Sequence, residues 1–280
     1  MSGFSAGWLE LRESYDQTAR NPTLLNVLQR WGEQRTGTLH IADLGAGTGA
    51  TLRALWPVFR QPQQWWLLDN DAALLEQAGS VIRSWAGGQR RRCETAADRL
   101  LLDDRCEVAV RRIDLSREWP AVAWENIELV TASALMDLVS AEWLLRLMAQ
   151  QRPAYYVALT YDGLIRWRPA LAEDKTARRL VNRHQRRDKG FGPALGPTAV
   201  DVMAAAFSRA NYRVEIGRSD WRLEPGDQAM QLALLDGWLS AAREMPSCPA
   251  LAPWAERRRR LIAAGRSRLT VGHRDLLAWK

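Results

Sequence analysis

Cysteine, histidine and lysine are all scarce in this 280-residue chain, at three each. Cys93, Cys106 and Cys248 are odd in number and widely spaced, and His40, His184 and His273 are scattered. Neither a disulfide framework nor a metal-ligand cluster can be read from such spacing, so no metal site is expected. Long apolar runs are missing too. No window approaches the roughly 18 uninterrupted apolar residues of a membrane span, and the stretch MSGFSAGWLELRESYDQ lacks a basic start followed by an apolar core. Neither secretion nor membrane insertion is indicated, and a cytoplasmic location is the default expectation. No repeat period or low-complexity tract appears.

What is present is enough apolar matter, 47% of residues, to build a sizeable core. The net charge of +7 is unevenly placed. Residues 1–160 carry 17 basic and 19 acidic side chains, a net of −2, whereas residues 161–280 carry 22 and 13, a net of +9. Because only Lys175, Lys189 and Lys280 are lysines, this positive charge is nearly all arginine, and it fixes no partner by itself.

Residues 8–32 have helical spacing interrupted at Asn21-Pro22, where Asn21 can cap a second helix and Pro22 can take its first position. A short apolar run at 39–44 ends in a glycine turn, and 48–59 continues as helix. The next strand, 65–68, ends in Asp69-Asn70-Asp71 before a helix over 72–85. Residues 106–113 alternate in polarity and end in Asp114-Leu115, and 127–131 and 155–160 read as two more buried strands. Five strands alternating with helices imply an α/β fold with a parallel, doubly wound sheet. Beyond Thr160 the pattern breaks into a basic segment, 162–197, too polar for a sheet strand. Helices at 198–210, 228–243 and 254–266 follow, with strands within 212–222 and 268–279.

Residues 41–50 read IADLGAGTGA. Between a strand and a helix, Gly45, Gly47 and Gly49 let the backbone take positive φ and approach a ligand closely, while free helix N–H groups favour anionic atoms. A nucleotide-like ligand would lie across the strand ends at the topological switch point. A dinucleotide fingerprint has the spacing G-x-G-x-x-G; here it is D-x-G-x-G-x-G, opened by Asp43, with the next acid, Asp69, ending the following strand.

In these residues the chain resembles the class I S-adenosylmethionine-dependent methyltransferases, over residues 39–161. The resemblance implies a Rossmann-like sheet of seven strands, mostly parallel with the last strand antiparallel, and S-adenosylmethionine as cofactor. It implies Asp43, Gly45, Gly47 and Gly49 around the methionine portion and ribose, and Asp69, with Asn70 beside it, on the ribose hydroxyls. It places Asp114 at the adenine amino group with Leu115 donating a backbone N–H, although an Asp followed by Leu-Ser can equally cap the next helix. The segment after the fourth strand, with Thr131 and Ser133, would lie beneath the cofactor. N-terminal helices cover the cofactor in many relatives, which puts Arg12, Tyr15 and Asp16 in a lid; plain packing of Trp8, Leu11 and Tyr15 is the alternative. The whole chain, 1–280, then reads as one domain: a helical cap (1–36), a cofactor-binding half (37–161), a substrate lid (162–197) and a C-terminal half with extra helices (198–280).

Such an enzyme must hold a nucleophile in line with the cofactor's methyl group and exclude water, and a general base helps where the acceptor is a hydroxyl or protonated amine. No metal is needed. On a helix over about 174–187, Ala177, Leu180, Val181 and His184 share one face, which turns His184 inward and makes it a candidate base, against the alternative of a packed histidine. Tyr161 and Asp162, directly after the fifth strand, are the other pocket candidates. The arginines of this helix form a solvated face or grip a carboxylate or phosphate. GFGPALGP is expected as a hinge or pocket-shaping loop.

The leading expectation is O- or N-methylation of a small, anionic metabolite. RRLVNRHQRRDKG and ERRRRLIAAGRSR keep a nucleic-acid substrate open as a rival, opposed by the absence of an Asn/Asp-Pro-Pro-Tyr-like motif in TASALMDL. A non-catalytic cofactor-binding scaffold or partner subunit is a third alternative. Oligomeric state is not legible.

Overall fold

The computed structural model of the chain describes residues 5–96, 99–118, 122–150, 153–245 and 251–280; Cys248 lies outside them. Two helices lead, α1 (Ala6–Ala19) and α2 (Pro22–Glu33). The Asn21 side chain caps α2 by accepting from Leu24 N–H, with Pro22 at the first position as the sequence predicts. The first strand, β1 (Leu39–Leu44), enters the glycine turn and α3 (Ala50–Leu55). After it come β2 (Gln63–Asp69) and α4 (Ala72–Gly88), a hairpin of β3 (Cys93–Ala96) and β4 (Arg99–Leu102), then β5 (Cys106–Arg112), β6 (Leu129–Ser133), α5 (Ala141–Ala149) and β7 (Ala154–Arg168). The remainder is α6 (Asp174–His184), α7 (Ala199–Arg209), β8 (Arg213–Arg218), β9 (Trp221–Leu223), α8 (Gln228–Arg243), α9 (Ala252–Ala263) and β10 (Arg268–Trp279).

All these strands join one sheet in the order β3-β4-β5-β2-β1-β6-β7-β10-β8, with β9 pairing on β10. From β5 through β2, β1 and β6 to β7 every pairing is parallel. β10 runs antiparallel to both neighbours, β7 and β8, so the final strand is reversed as expected. Chain order runs outward from β1 to β2 and β5, then returns to β6 on the other side of β1, which places the switch point at the carboxyl ends of β1 and β6.

Among the described residues the sheet has ten strands where seven were expected. The β3–β4 hairpin extends its edge; β3 is largely exposed, and β4 buries alternate residues, Leu100 and Leu102, in a four-residue run whose Leu100-Leu101-Leu102 shows no alternation of polarity in the sequence. A larger correction concerns the segment expected as a lid from residue 162. Residues 162–168 continue β7, because Ile165 and Trp167 are buried while Arg166 and Arg168 are exposed, a period of two that fits a half-buried strand. β10 accompanies this extension from Arg268 opposite Arg168 onward.

Apolar clusters fill both faces of the sheet. α5 and α7 cover one through Trp143, Leu144, Met203 and Phe207; α2, α3 and α4 cover the other through Leu28, Leu52 and Ile82. A third cluster lies on the β7–β10 extension, under α6, α8 and α9. The basic run of α9 is largely neutralised within it: Arg257 bonds Glu173, the fully buried Arg258 bonds Asp174 and the Pro169 carbonyl, and Arg259 bonds Asp236 and Glu256. Among the described residues no helix is long and apolar enough to cross a membrane.

Candidate active site

At the carboxyl end of β1 the chain turns through Gly45, Gly47 and Gly49, at φ of 65°, 52° and 82°. Only glycine takes this region without a penalty of about 1–2 kcal/mol per residue. The turn is stitched to the end of β2: the N–H groups of Gly45 and Ala46 donate to the Leu68 carbonyl, and Gly47 N–H donates to Asp69 Oδ2 at 2.8 Å. Asp69 Oδ1 accepts from Asp71 N–H at 3.0 Å. Each carboxylate oxygen keeps acceptor capacity, so Asp69 is still able to receive a diol. The third glycine serves packing instead. A Cβ at Gly49 would stand 3.2 Å from Ile82 and 3.3 Å from Leu67, where α3 meets β2 and α4.

Beneath the turn lies a buried polar nest. Asp43 Oδ1 accepts from the Thr131 hydroxyl at 2.8 Å, and Ser133 Oγ accepts from Arg20 Nη2 at 3.0 Å and from the Thr51 hydroxyl at 3.1 Å. Burial pushes the Asp43 carboxyl up to about 7, against the Thr131 bond and the Arg20 charge, which favour its ionised form. Burial also opposes the charge of Arg20, but Tyr156 and Asp275 beside it outweigh that and leave its pKa raised. Asp43 Oδ2 and Arg20 Nε and Nη1 are buried with no hydrogen-bond partner among the described residues. Leaving such groups unmade costs about 1–3 kcal/mol each. One vacant acceptor on an acid and two vacant donors on a guanidinium match the ammonium and carboxylate of an α-amino acid. The residues present therefore fit the methionine end of S-adenosylmethionine.

Asp114 is more ambiguous. Its Oδ1 accepts from the backbone N–H and hydroxyl of Ser116, and its own N–H donates to Glu118, a reciprocal cap. The Ser116 hydroxyl bond, outweighing slight burial, holds its pKa below the usual range. Leu115 is buried and gives its carbonyl to Trp143 Nε1. Asn70 is exposed at the rim.

Next to the nest, from Ala134 onward, the chain opens a cavity of about 260 Å³ between the end of β6, the middle of β7, the first half of β10 and helices α1, α6 and α8. Trp8, Trp221 and Trp238 give it aromatic walls, and Asp137, Tyr161, His184 and His273 are its titratable groups, together with Arg12. Asp137 is 4% exposed. Burial pushes its carboxyl up to about 6, against backbone hydrogen bonds and the charges of Arg12 and Lys189. Burial, reinforced by Arg12, drives His273 down to about 3, so it remains neutral, and its Nδ1 has no partner among the described residues. Two non-glycine residues in the wall, Ala134 and Leu159, hold φ of 53° and 56°, strain that persists only where surrounding structure enforces it. At Leu159 the enforcing group is Asp275, which accepts its N–H at 2.8 Å.

The predicted site residues separate into groups in this geometry. Asp43, Gly45, Gly47, Asp69, Thr131 and Ser133 converge on the turn. Arg12 lies in the cavity, not at the turn, bound to Asp16 and set 5.1 Å from the Trp221 ring centre. The residue of α1 that reaches the turn is Leu9, whose Cδ1 is 3.0 Å from where a Gly47 Cβ would stand. α1 is pinned there by Glu13 bonding Arg53 of α3 at 2.6 Å and Tyr15 donating to Asp227 at 2.9 Å.

His184 faces the cavity as the helical spacing requires, its Nε2 3.2 Å from Glu244 and its Nδ1 3.3 Å from Lys189. Burial and then the Lys189 charge lower its pKa. Tyr161 also faces inward, but its hydroxyl donates to Asn182 at 2.7 Å and burial raises its pKa, which removes it as a base. Asp162 does not join them. Successive strand residues face opposite sides of a sheet, and Asp162 lines a groove on the other face, where it accepts Leu164 N–H and approaches Arg218 at 3.6 Å. Residues missed in the sequence are Arg20, Thr51, Asp137 and His273, which no local motif marks.

No family model matches the chain, and no curated protein matches it. Solved structures do. A SAM-dependent methyltransferase from Geobacter sulfurreducens in complex with S-adenosyl-L-homocysteine is 15% identical, with 99% of each chain covered and a TM-score of 0.47. One from Thiobacillus denitrificans, also in complex with S-adenosyl-L-homocysteine, is 14% identical over 99% of each chain, at 0.46. The phospholethanolamine N-methyltransferase 2 of Haemonchus contortus is 12% identical over 99% of this chain and 58% of its own, at 0.44. The strand order described above, with its reversed β10, gives this chain a mostly parallel, Rossmann-like sheet.

Proposed function

We propose that the chain is an S-adenosylmethionine-dependent methyltransferase that modifies a small molecule held in the Asp137 cavity. The observation that carries this is a juxtaposition. Ser133 belongs to the nest with unpaired groups of amino-acid character, and Ala134, the next residue, already lines the cavity that holds Asp137. A cofactor seated on the turn and a substrate in the cavity would meet at that step in the chain.

Asp43, Arg20 and Ser133 would hold the amino-acid end of the cofactor, and Asp69 its ribose. When bound, the cofactor supplies an electrophilic methyl group on a sulfonium. The protein's part is to place the acceptor, take its proton and keep water out. Trp8 and Trp221 offer faces for an apolar or aromatic body. Asp137 is the group best placed to take a proton from a hydroxyl or ammonium, since a base with a pKa of about 6 is ionised at neutral pH and still basic. His184, lowered and at the mouth, is the second candidate. α1 closes the site from solvent.

The cavity volume lies just below the roughly 300–1,000 Å³ usual for ligand pockets, which favours a small metabolite over a polymer. The pairing of the α9 arginines with nearby acids removes much of the basic surface on which a nucleic-acid reading would rest. The anionic character expected for the substrate finds one guanidinium among the described cavity residues, Arg12, already engaged by Asp16.

Incubation with methyl-labelled S-adenosylmethionine and a fractionated cell extract tests this. Label is expected in the small-molecule fraction and lost with Asp69→Ala. Label in the RNA or protein fraction would overturn the acceptor class, and no transfer by a protein that binds the cofactor would overturn the activity.

A further inference from the structure

The face of β7 opposite the cavity carries a second concave site, independent of the methyl-transfer reading. It is an open groove of about 780 Å³ on the extension that β7, β10 and β9 build together. Strand register fixes its layout. Thr270 of β10 pairs with Arg166 of β7 on one side and Arg222 of β9 on the other, so two arginines flank the centre across two strand spacings, about 10 Å. Arg168 stands one pleat, about 7 Å, further along β7 and opposite Arg268. Arg178 of α6 closes the side. Because the strands pack Ile165, Trp167, Trp221 and Leu223 on the other face, Arg166, Arg168 and Arg222 are all directed outward and exposed.

These central arginines are not consumed by the fold. Arg218 is bound to Asp220 at one end and Arg268 to Glu224 at the other. Arg166, Arg168 and Arg222 have no hydrogen-bond or ion-pair partner among the described residues. Among the described residues the lining holds six arginines against three carboxylates, Asp162, Asp220 and Glu224, a net of +3. Its middle is positive and its ends are closed by ion pairs. Asp162 occupies the space above Gly272, where its carboxylate would clash with any Cβ, so that end is sterically filled as well.

We propose that this groove binds a compact polyanion carrying two or more adjacent phosphate groups. Guanidinium groups bind phosphate oxygens through paired N–H donors, and a bounded positive zone matches a short polyphosphate in charge. A nucleic-acid strand fits less well. Among the described residues the lining contains no aromatic ring on which a base could stack, and a continuing backbone would run onto the acids at either end.

The test is titration of inorganic tripolyphosphate into the full chain at low ionic strength, followed by calorimetry, with a short single-stranded RNA and inorganic sulfate as separate arms. Tripolyphosphate is expected to bind at one site and more tightly than sulfate. Arg166→Gln and Arg222→Gln should each weaken it about tenfold, the scale of one lost charge-assisted contact. Circular dichroism and S-adenosylmethionine affinity should be unchanged, which separates failure of this site from failure of the methyltransferase reading. Equal binding by the parent and both variants, no binding, or RNA binding that tripolyphosphate does not displace would each overturn the proposal.

Discussion

Asp137 owes its chemistry to where it is and not to what surrounds it in the chain. Within TASALMDL it is an ordinary acid; in the folded protein it is buried just past the end of β6, in a cavity walled by the middle of β7, with its pKa moved to about 6. Replacing it with Asn keeps the shape and removes the base. Asp137→Asn is expected to lower kcat by about 10²- to 10⁴-fold while leaving cofactor affinity nearly unchanged. In the parent, activity should fall as pH drops through about 6, where Asp137 takes up a proton. Loss of that acidic limb in His184→Gln, and its persistence in the residual activity of Asp137→Asn, would transfer the role to His184.

Asp43 gives a prediction of opposite kind, on stability. Its folded pKa of about 7 stands above the ordinary 3.8. Between those values the folded protein holds a proton that the unfolded chain has released, so the ligand-free protein loses stability as pH rises through this window. Asp43→Asn should therefore gain stability relative to the parent as pH rises from about 4 to about 7, and no further above that, as measured by urea denaturation. A difference that does not change with pH would contradict the raised pKa.

At the level of elements, Asp275 ties together three parts of the site. Fully buried on β10, it accepts from Asn21 N–H at the start of α2, from Leu159 N–H in β7 and from the Tyr156 hydroxyl, beside Arg20. Removing one partner of a buried charge pair leaves the other uncompensated, so Asp275→Ala is expected to destabilise by roughly 3–5 kcal/mol. Urea unfolding checks this, and a loss below about 1 kcal/mol would mean that the cluster is not cooperative. Much of this level was legible. Asn21-Pro22 marked the start of α2, and the apolar runs marked β1, β2, β6 and the first half of β7. The rest of β7 was hidden because Arg166 and Arg168 raised the polarity of a segment whose alternate residues, Ile165 and Trp167, are core. Asp275 gave no sign, since its partners lie 116 and 254 positions away along the chain.

For the molecule as a whole, the acids and glycines of the turn were readable because they are consecutive or end adjacent strands. Arg20, Thr51 and His273 were not, because only the order of strands in the sheet assembles them. The positive charge of the second half was visible as a total, but not its division: the run in α9 is spent on internal pairs, whereas the scattered arginines of β7 and β9 are free at the groove. The proposed activity requires the turn and its nest to receive S-adenosylmethionine. Calorimetric titration of S-adenosylmethionine, and of S-adenosylhomocysteine, tests it most directly, with NAD as control and Arg20→Met alongside the parent. Both ligands should bind the parent at micromolar concentration and at least tenfold more weakly to Arg20→Met, on the scale of a lost charged hydrogen bond. Binding of NAD in their place, or equal affinity in the variant, would mean that the turn and nest are not a site for S-adenosylmethionine.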